Sequence, residues 1–174
     1  MLTGSGEPKS IWAETAEVPS FEPLNLNSNT DVCVVGAGIA GMMSAYCLAK
    51  AGKRVMVLDD GGIGSGETGR TTAHITAALD DRYYNIEKLH GEEGARLAAE
   101  SHMAALNRIE EICAVEGIVC DFTRVDGYLF LGPQHTRDVL EKELAAAQRA
   151  GLSDLILLEN ATPIDWWSTG PARA

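Results

Sequence analysis

Three glycines at positions 36, 38 and 41, in "VVGAGIAG", are the first residues whose spacing could do chemistry. A G-x-G-x-x-G run between a strand and a helix admits the diphosphate of a dinucleotide. Gly36 permits the tight turn, Gly38 presents no side chain to an approaching phosphate, and Gly41 lets the helix pack closely on the strand. Ile39 and Ala40 open that helix, whose amino end offers unpaired N–H groups and a partial positive charge. Asp59 lies eighteen residues past Gly41, at the end of the next apolar run "KRVMVLDD", where a carboxylate can accept both ribose hydroxyls of an adenosine half. Asp60 is the neighbouring candidate, less favoured by the alternation of the strand. An aspartate here repels a 2′-phosphate, which disfavours a phosphorylated nicotinamide cofactor.

A second cluster follows at once. "GGIGSGETGRTTAHIT", residues 61–76, holds five glycines and little that could anchor a core. Clusters of Gly, Ser and Thr are commonly surface loops. The other reading is a backbone held close against a ligand.

These residues need a scaffold. "DVCVV" from Asp31 is a short β-branched run fit for a strand buried on both faces. "IAGMMSAYCLAKAG" supplies a helix closed by Gly52, and "KRVMVLDD" the next strand, which together make a βαβ unit with parallel strands. Residues 1–30, with three of the six prolines and the run "NLNSNT", suit an extended lead-in better than a helix, pinned by Trp12 and Phe21. Further on, "NIEKLHGEEGARLAAESHMAALNRIEEICAVEG" reads as a helix. Its stripe comprises Leu97, Ala98, His102, Ala105, Ile109, Ile112 and Cys113, and Gly117 terminates it. "IVCDFTRVDGYLFLG" has the pattern of two strands around an Asp126-Gly127 turn. "TRDVLEKELAAAQRAG" is a helix closed by Gly151, and "LILLE" a last strand.

Spacing alone leaves nicotinamide and flavin both open as the second half of the dinucleotide. Residues 31–76 resemble the N-terminal region of the D-amino-acid oxidase-like (DAO) superfamily of FAD-dependent oxidoreductases, whose members follow the acidic strand end with a G-x-G-x-S/T-G-R-like segment. Here the segment is Gly64, Ser65, Gly66, Glu67, Thr68, Gly69, Arg70. "SIWAETAEVPSF", "ETGRTTAHIT" and "GIVCDFTRVDGYLFL" are similar to the branch that often carries a C-terminal Rieske domain. The resemblance implies FAD as cofactor and oxidation of an amine or amino acid by hydride transfer to flavin. It also implies that the glycine-rich segment wraps the diphosphate and the edge of the flavin ring. Gly66 and Gly69 would then let main-chain N–H groups approach phosphate oxygens, Arg70 would neutralise their charge, and Thr68, Thr71 and Thr72 would donate hydroxyls. His74 would lie near the ring, as a hydrogen-bonding or structural histidine more often than as a covalent attachment point.

The fold class expected is α/β: a Rossmann-like FAD-binding βαβ unit followed by the start of an α+β substrate domain, incomplete. The boundaries expected are a lead-in over 1–30, the FAD-binding unit and glycine-rich segment over 31–80, and a partial substrate region over 81–174. The family's later strands and second flavin-binding segment have no counterpart before Ala174, so an N-terminal portion is expected. An inactive dinucleotide-binding fragment and a nicotinamide-dependent dehydrogenase fragment are the rival readings.

Composition narrows the partners. The chain is 45% hydrophobic, enough for a real core, and its net charge of -11 repels nucleic acid and anionic membranes. No apolar run reaches the roughly twenty residues of a bilayer span. The acidic start "MLTGSGEPKSIWAETAEVPSF" fits neither a secretory signal nor a transit peptide, so a cytoplasmic setting is expected. Cys33, Cys47, Cys113 and Cys120 lack metal or C-x-x-C spacing and read as small buried apolar residues, with neither disulfide nor metal role. His102 is expected in the core, and His90 and His135 at the surface or at caps. Tyr83 and Tyr84 could line a pocket but more often pack. No catalytic acid or base is assigned, and Trp166 and Trp167 carry no assignment.

Overall fold

A computed structural model describes residues 10–158 of the chain. These fall into two compact units, the chain dividing between His74 and Ile75, and each is taken by itself.

The first unit opens with helix α1, Ile11–Thr15. The lead-in is thus not wholly extended. Ser10 caps the turn, its hydroxyl accepting from the Trp12 N–H at 3.3 Å, and the Thr15 hydroxyl donates back to the Ile11 carbonyl at 2.8 Å. Local side-chain capping outweighs the Pro-rich and Asn-rich composition for one turn. Residues 17–30 carry neither helix nor strand, and Phe21 is exposed rather than pinned.

Strands β1, Val32–Val35, and β2, Val55–Leu58, pair in parallel from Val32 opposite Val55 to Val35 opposite Leu58. Helix α2, Ile39–Lys50, is the crossover and packs on both strands. β1 was expected to be buried on both faces. Among the described residues α2 covers one face only, so Val32 and Val34 are half-buried while Cys33 and Val35 point to solvent. α2 ends as its sequence dictates: Gly52, at φ 79°, turns the chain so that its N–H reaches Ala49 O and the Lys53 N–H reaches Leu48 O.

The second unit is built on helices α3, Tyr83–Val115, and α4, Arg137–Arg149, which pack together. Gly91, at φ 75° and ψ 171°, breaks the expected continuous helix into two segments. The seam is made of small side chains: Ala95 and Ala99 of α3, with Ala146 and Ala147 of α4 and the following Ala150, are buried with Tyr83. This shifts the expected stripe. Leu97 is 52% exposed, and Ala105 and His102 also face solvent, the His102 ring resting on the Ala98 carbonyl at 2.9 Å. Alanines win the interior positions because they let two helices approach closely.

The amino end of α3 is capped from a distance. Arg82 at the cap position has φ 67° and gives the helix no side-chain cap, its guanidinium donating instead to Leu79 O at 3.3 Å. Glu143 of α4, nearly buried, instead accepts from the N–H of Tyr83 at 3.0 Å and of Tyr84 at 3.3 Å. Burial, with the Glu143 charge nearby, pushes the Tyr83 phenol up, and its hydroxyl donates to Ala77 O at 2.7 Å.

Two expected features are absent among the described residues. Residues 118–132 form no hairpin, and 155–158 no strand; residue 159 and the tail with Trp166 and Trp167 lie outside the described residues. A two-stranded hairpin is marginal by itself, and turn chemistry around Asp126-Gly127 supplies neither a third strand nor an apolar surface to cover its face. Val119 is 95% exposed, and the rings of Tyr128 and Phe130 stack on one another at 6.2 Å. The cysteines also depart from expectation: Cys33, Cys47 and Cys120 are exposed and Cys113 is half-buried. No described helix is long and apolar enough to cross a membrane.

Candidate functional site

β1 delivers the chain to the loop Gly36-Ala37-Gly38, which opens α2. Gly36, at φ 102°, takes a backbone conformation that L side chains rarely adopt, and its N–H donates to Leu58 O at 2.7 Å, locking the turn to β2. A Cβ on Gly41 would sit 1.9 Å from the Gly36 carbonyl oxygen and 3.4 Å from Val34, so the close approach of helix to strand is physically enforced. Gly38 caps the helix without a side chain, and a Cβ there would meet the Thr68 hydroxyl at 3.3 Å.

Asp59, immediately after β2, reaches back to this loop. Its Oδ2 accepts from the Ala37 N–H at 2.6 Å and its Oδ1 from the Gly61 N–H at 2.8 Å. Those two amides, Ala37 first, hold its carboxyl below the usual carboxylate range. Each oxygen keeps a further lone pair for an incoming hydroxyl.

The glycine-rich segment folds onto the same loop. The Gly64 N–H donates to Ala37 O at 2.9 Å, and the Ile39 N–H donates to the Thr68 hydroxyl at 3.0 Å. Thr68 therefore occupies the first free amide of α2. The amides of Ala40 and Gly41, also in the first turn, have no carbonyl within the helix to pair with. Residues Glu67–Arg70 form a 3-10 turn, and a Cβ on Gly69 would lie 2.6 Å from Gly64 O.

Loop, strand end and segment line an open cavity of about 480 Å³. Gly36, Gly38, Ile39, Ala40, Gly41, Asp59, Asp60, Gly66 and Thr68 line it, so nine of the sequence-derived residues come together. Gly69, Arg70, Thr71, Thr72 and His74 are outside that lining. Arg70 pairs at the surface with Glu67 at 2.9 Å, Thr71 caps the Ala73 N–H, and Thr72 meets His74 Nδ1 at 3.1 Å. Sequence reasoning missed the buried Ala37, whose amide and carbonyl both tie the site together; its signal was its place between two glycines. It also missed Glu67, a carboxylate on the cavity wall.

A strand, glycine turn and helix amino end, with a strand-end carboxylate beside them, define a Rossmann-like dinucleotide-binding unit. Residues 31–164 match the FAD-dependent oxidoreductase (DAO) family, and the chain belongs to it. The family is FAD-dependent. The chain is 31% identical over 150 residues to a Bacillus subtilis protein provisionally named a Rieske 2Fe-2S iron-sulfur protein, covering 86% of this chain and 30% of that one. It is 33% identical over 152 residues to gamma-glutamylputrescine oxidoreductase of Escherichia coli, covering 86% and 35%. A Haemophilus influenzae oxidoreductase is 28% identical over 137 residues, covering 79% and 32%. The chain thus spans about a third of the length of these relatives. No solved structure matches it.

The residues present fit FAD. Gly36 and Gly38 put bare backbone on the cavity wall, Gly41 lets the amino end of α2 lie close against β1, and the donors there are main-chain amides suited to a diphosphate.

Proposed function

We propose that the cavity holds the adenosine diphosphate half of FAD, and that the chain is the cofactor-binding front of an oxidoreductase acting on an amine or amino acid. The observation that carries this is the convergence of the glycine loop, Asp59 and the glycine-rich segment on one cavity within one unit. In this reading the first-turn amides of α2 hold diphosphate oxygens, and Asp59, oriented by Ala37 and Gly61, accepts the ribose hydroxyls. The Thr68 hydroxyl, which now accepts from Ile39, can donate its own proton to a phosphate oxygen. Arg70 and His74 contribute from outside the present lining, Arg70 by exchanging its exposed pair with Glu67 for the anion. Flavin supplies the acceptor for the hydride, and the chain's own residues bind and orient it. The amine substrate class rests on the name of the Escherichia coli relative. Residues 81–174 are, in the same reading, the start of the substrate domain.

A second reading, a dinucleotide-binding fold that holds cofactor weakly or not at all, is favoured by one contact. Thr68 already satisfies the Ile39 amide, as a protein-capped helix would. Titration of the purified chain with FAD and with NAD+, followed by flavin fluorescence and calorimetry, separates the readings. The proposal expects saturable FAD binding that Asp59→Asn weakens about tenfold, the scale of one lost charge-assisted hydrogen bond, with far weaker binding of NAD+. Binding of neither, or preference for NAD+, contradicts it.

A further inference from the structure

The C-terminal end of α3 brings together two side chains that the cofactor cavity does not use. The helix stops at Val115, and Gly117, at φ 64°, reverses the chain: the Gly117 N–H reaches Ala114 O at 3.4 Å and the Ile118 N–H reaches Cys113 O at 2.8 Å. The reversal carries Cys120 back over the last turn, so that its Sγ lies 3.6 Å from Cys113 Sγ. A second tether holds the returning strand of chain in place. The Arg124 guanidinium binds Glu110 through Nε at 3.0 Å and Nη2 at 2.5 Å, and Asn107 Oδ1 at 2.8 Å. Asn107, Glu110 and Cys113 follow one another at three-residue spacing, so Arg124 and Cys120 run along a single face of α3. Cys120 is exposed and Cys113 half-buried, so one thiol is open to solvent reagents and the other waits beside it.

We propose that Cys113 and Cys120 are a dithiol that a peroxide converts to an intramolecular disulfide. The Cys120 thiolate attacks one oxygen of hydrogen peroxide. An S–O bond forms, the O–O bond breaks, and hydroxide leaves to become water, giving a sulfenic acid. Cys113 sulfur then attacks Cys120 sulfur. An S–S bond forms, the S–O bond breaks, and the departing hydroxide takes up the Cys113 proton as a second water. Two thiols are oxidised by two electrons and one peroxide is reduced to two waters. The hydrogen-bonded Cys120 thiol beside it, followed by partial burial, raises the affinity of Cys113 for its proton, consistent with Cys120 as first attacker. The spacing of seven residues is not a redox motif in sequence; the glycine reversal creates the pair.

The test is peptide mass mapping without reduction, after treating the full chain with stoichiometric hydrogen peroxide and blocking remaining thiols by alkylation. The Cys33→Ser/Cys47→Ser chain removes competing pairings. The proposal expects a linked Cys113–Cys120 peptide, lighter by two hydrogens, that dithiothreitol reverses, and its loss in Cys113→Ser, which should instead hold a Cys120 sulfenic acid that dimedone traps. Arg124→Ala, which keeps both thiols but frees the returning segment, should slow linkage severalfold. Alkylation of both thiols after peroxide, oxidation without linkage, or linkage only between separate chains overturns it. Linkage at an unchanged rate in Arg124→Ala overturns the assigned tether.

Discussion

Gly41 and Gly38 look equivalent in the motif, yet their surroundings separate them. A methyl group at Gly41 would collide with the backbone carbonyl of Gly36 at 1.9 Å, which only movement of helix or strand relieves, whereas at Gly38 it meets the end of a Thr68 side chain at 3.3 Å. Gly41→Ala is therefore expected to destabilise the first unit by about 3 kcal/mol, read as a shift in denaturant midpoint. Gly38→Ala should leave that midpoint within about 0.5 kcal/mol while weakening FAD binding. Asp59 carries a pH signature. Its carboxyl is held low by the Ala37 and Gly61 amides, so the folded chain releases that proton more readily than the unfolded chain. The stability this adds is present above the ordinary carboxylate range, about pH 4, and is lost as pH falls through the lowered value. Asp59→Asn should flatten that acid limb of the first unit's thermal midpoint relative to the parent chain. The placement of the glycines and Asp59 about one turn was legible because it follows from spacing along the chain. Thr68 on the Ile39 amide was not legible as a cap, because the two are twenty-nine residues apart and no local pattern links them.

At the scale of elements, the ends of helices could be read from sequence and their partners could not. Gly52, Gly117 and Gly151 stop α2, α3 and α4 where expected, since a left-handed residue closes a helix by local geometry alone. The start of α3 depends instead on Glu143, sixty residues from Tyr83. Glu143→Gln removes charge from two amide contacts and should lower the stability of the second unit by about 1–2 kcal/mol, measured by denaturant unfolding. The hairpin over 118–132 failed as an expectation for a related reason: alternation and a turn signal give a stable hairpin only when a further strand or an apolar surface covers its face, and no local pattern reports that. In the first unit, α1 holds the chain just past the cavity wall, the Trp12 indole N–H donating to Thr71 O at 2.7 Å. Trp12→Phe keeps the ring and removes that donor. It should speed hydrogen exchange in residues 66–72 and weaken FAD binding about threefold, the scale of one neutral hydrogen bond.

At the scale of the molecule, the chain divides into two units, and the family match runs across both. The class of the first unit was legible because a βαβ unit writes its whole plan within thirty residues. The plan of the second was not, because its helix seam is made of alanines whose burial reflects closeness of approach rather than hydrophobic pattern. The central claim is that FAD binds at the amino end of α2. Hydrogen exchange of the full chain with and without saturating FAD, resolved to peptides, tests it most directly. The account predicts protection concentrated in residues 36–42 and 59–70, diminished in Asp59→Asn. FAD binding that protects other segments, and leaves the glycine loop exchanging as in the free chain, would contradict it.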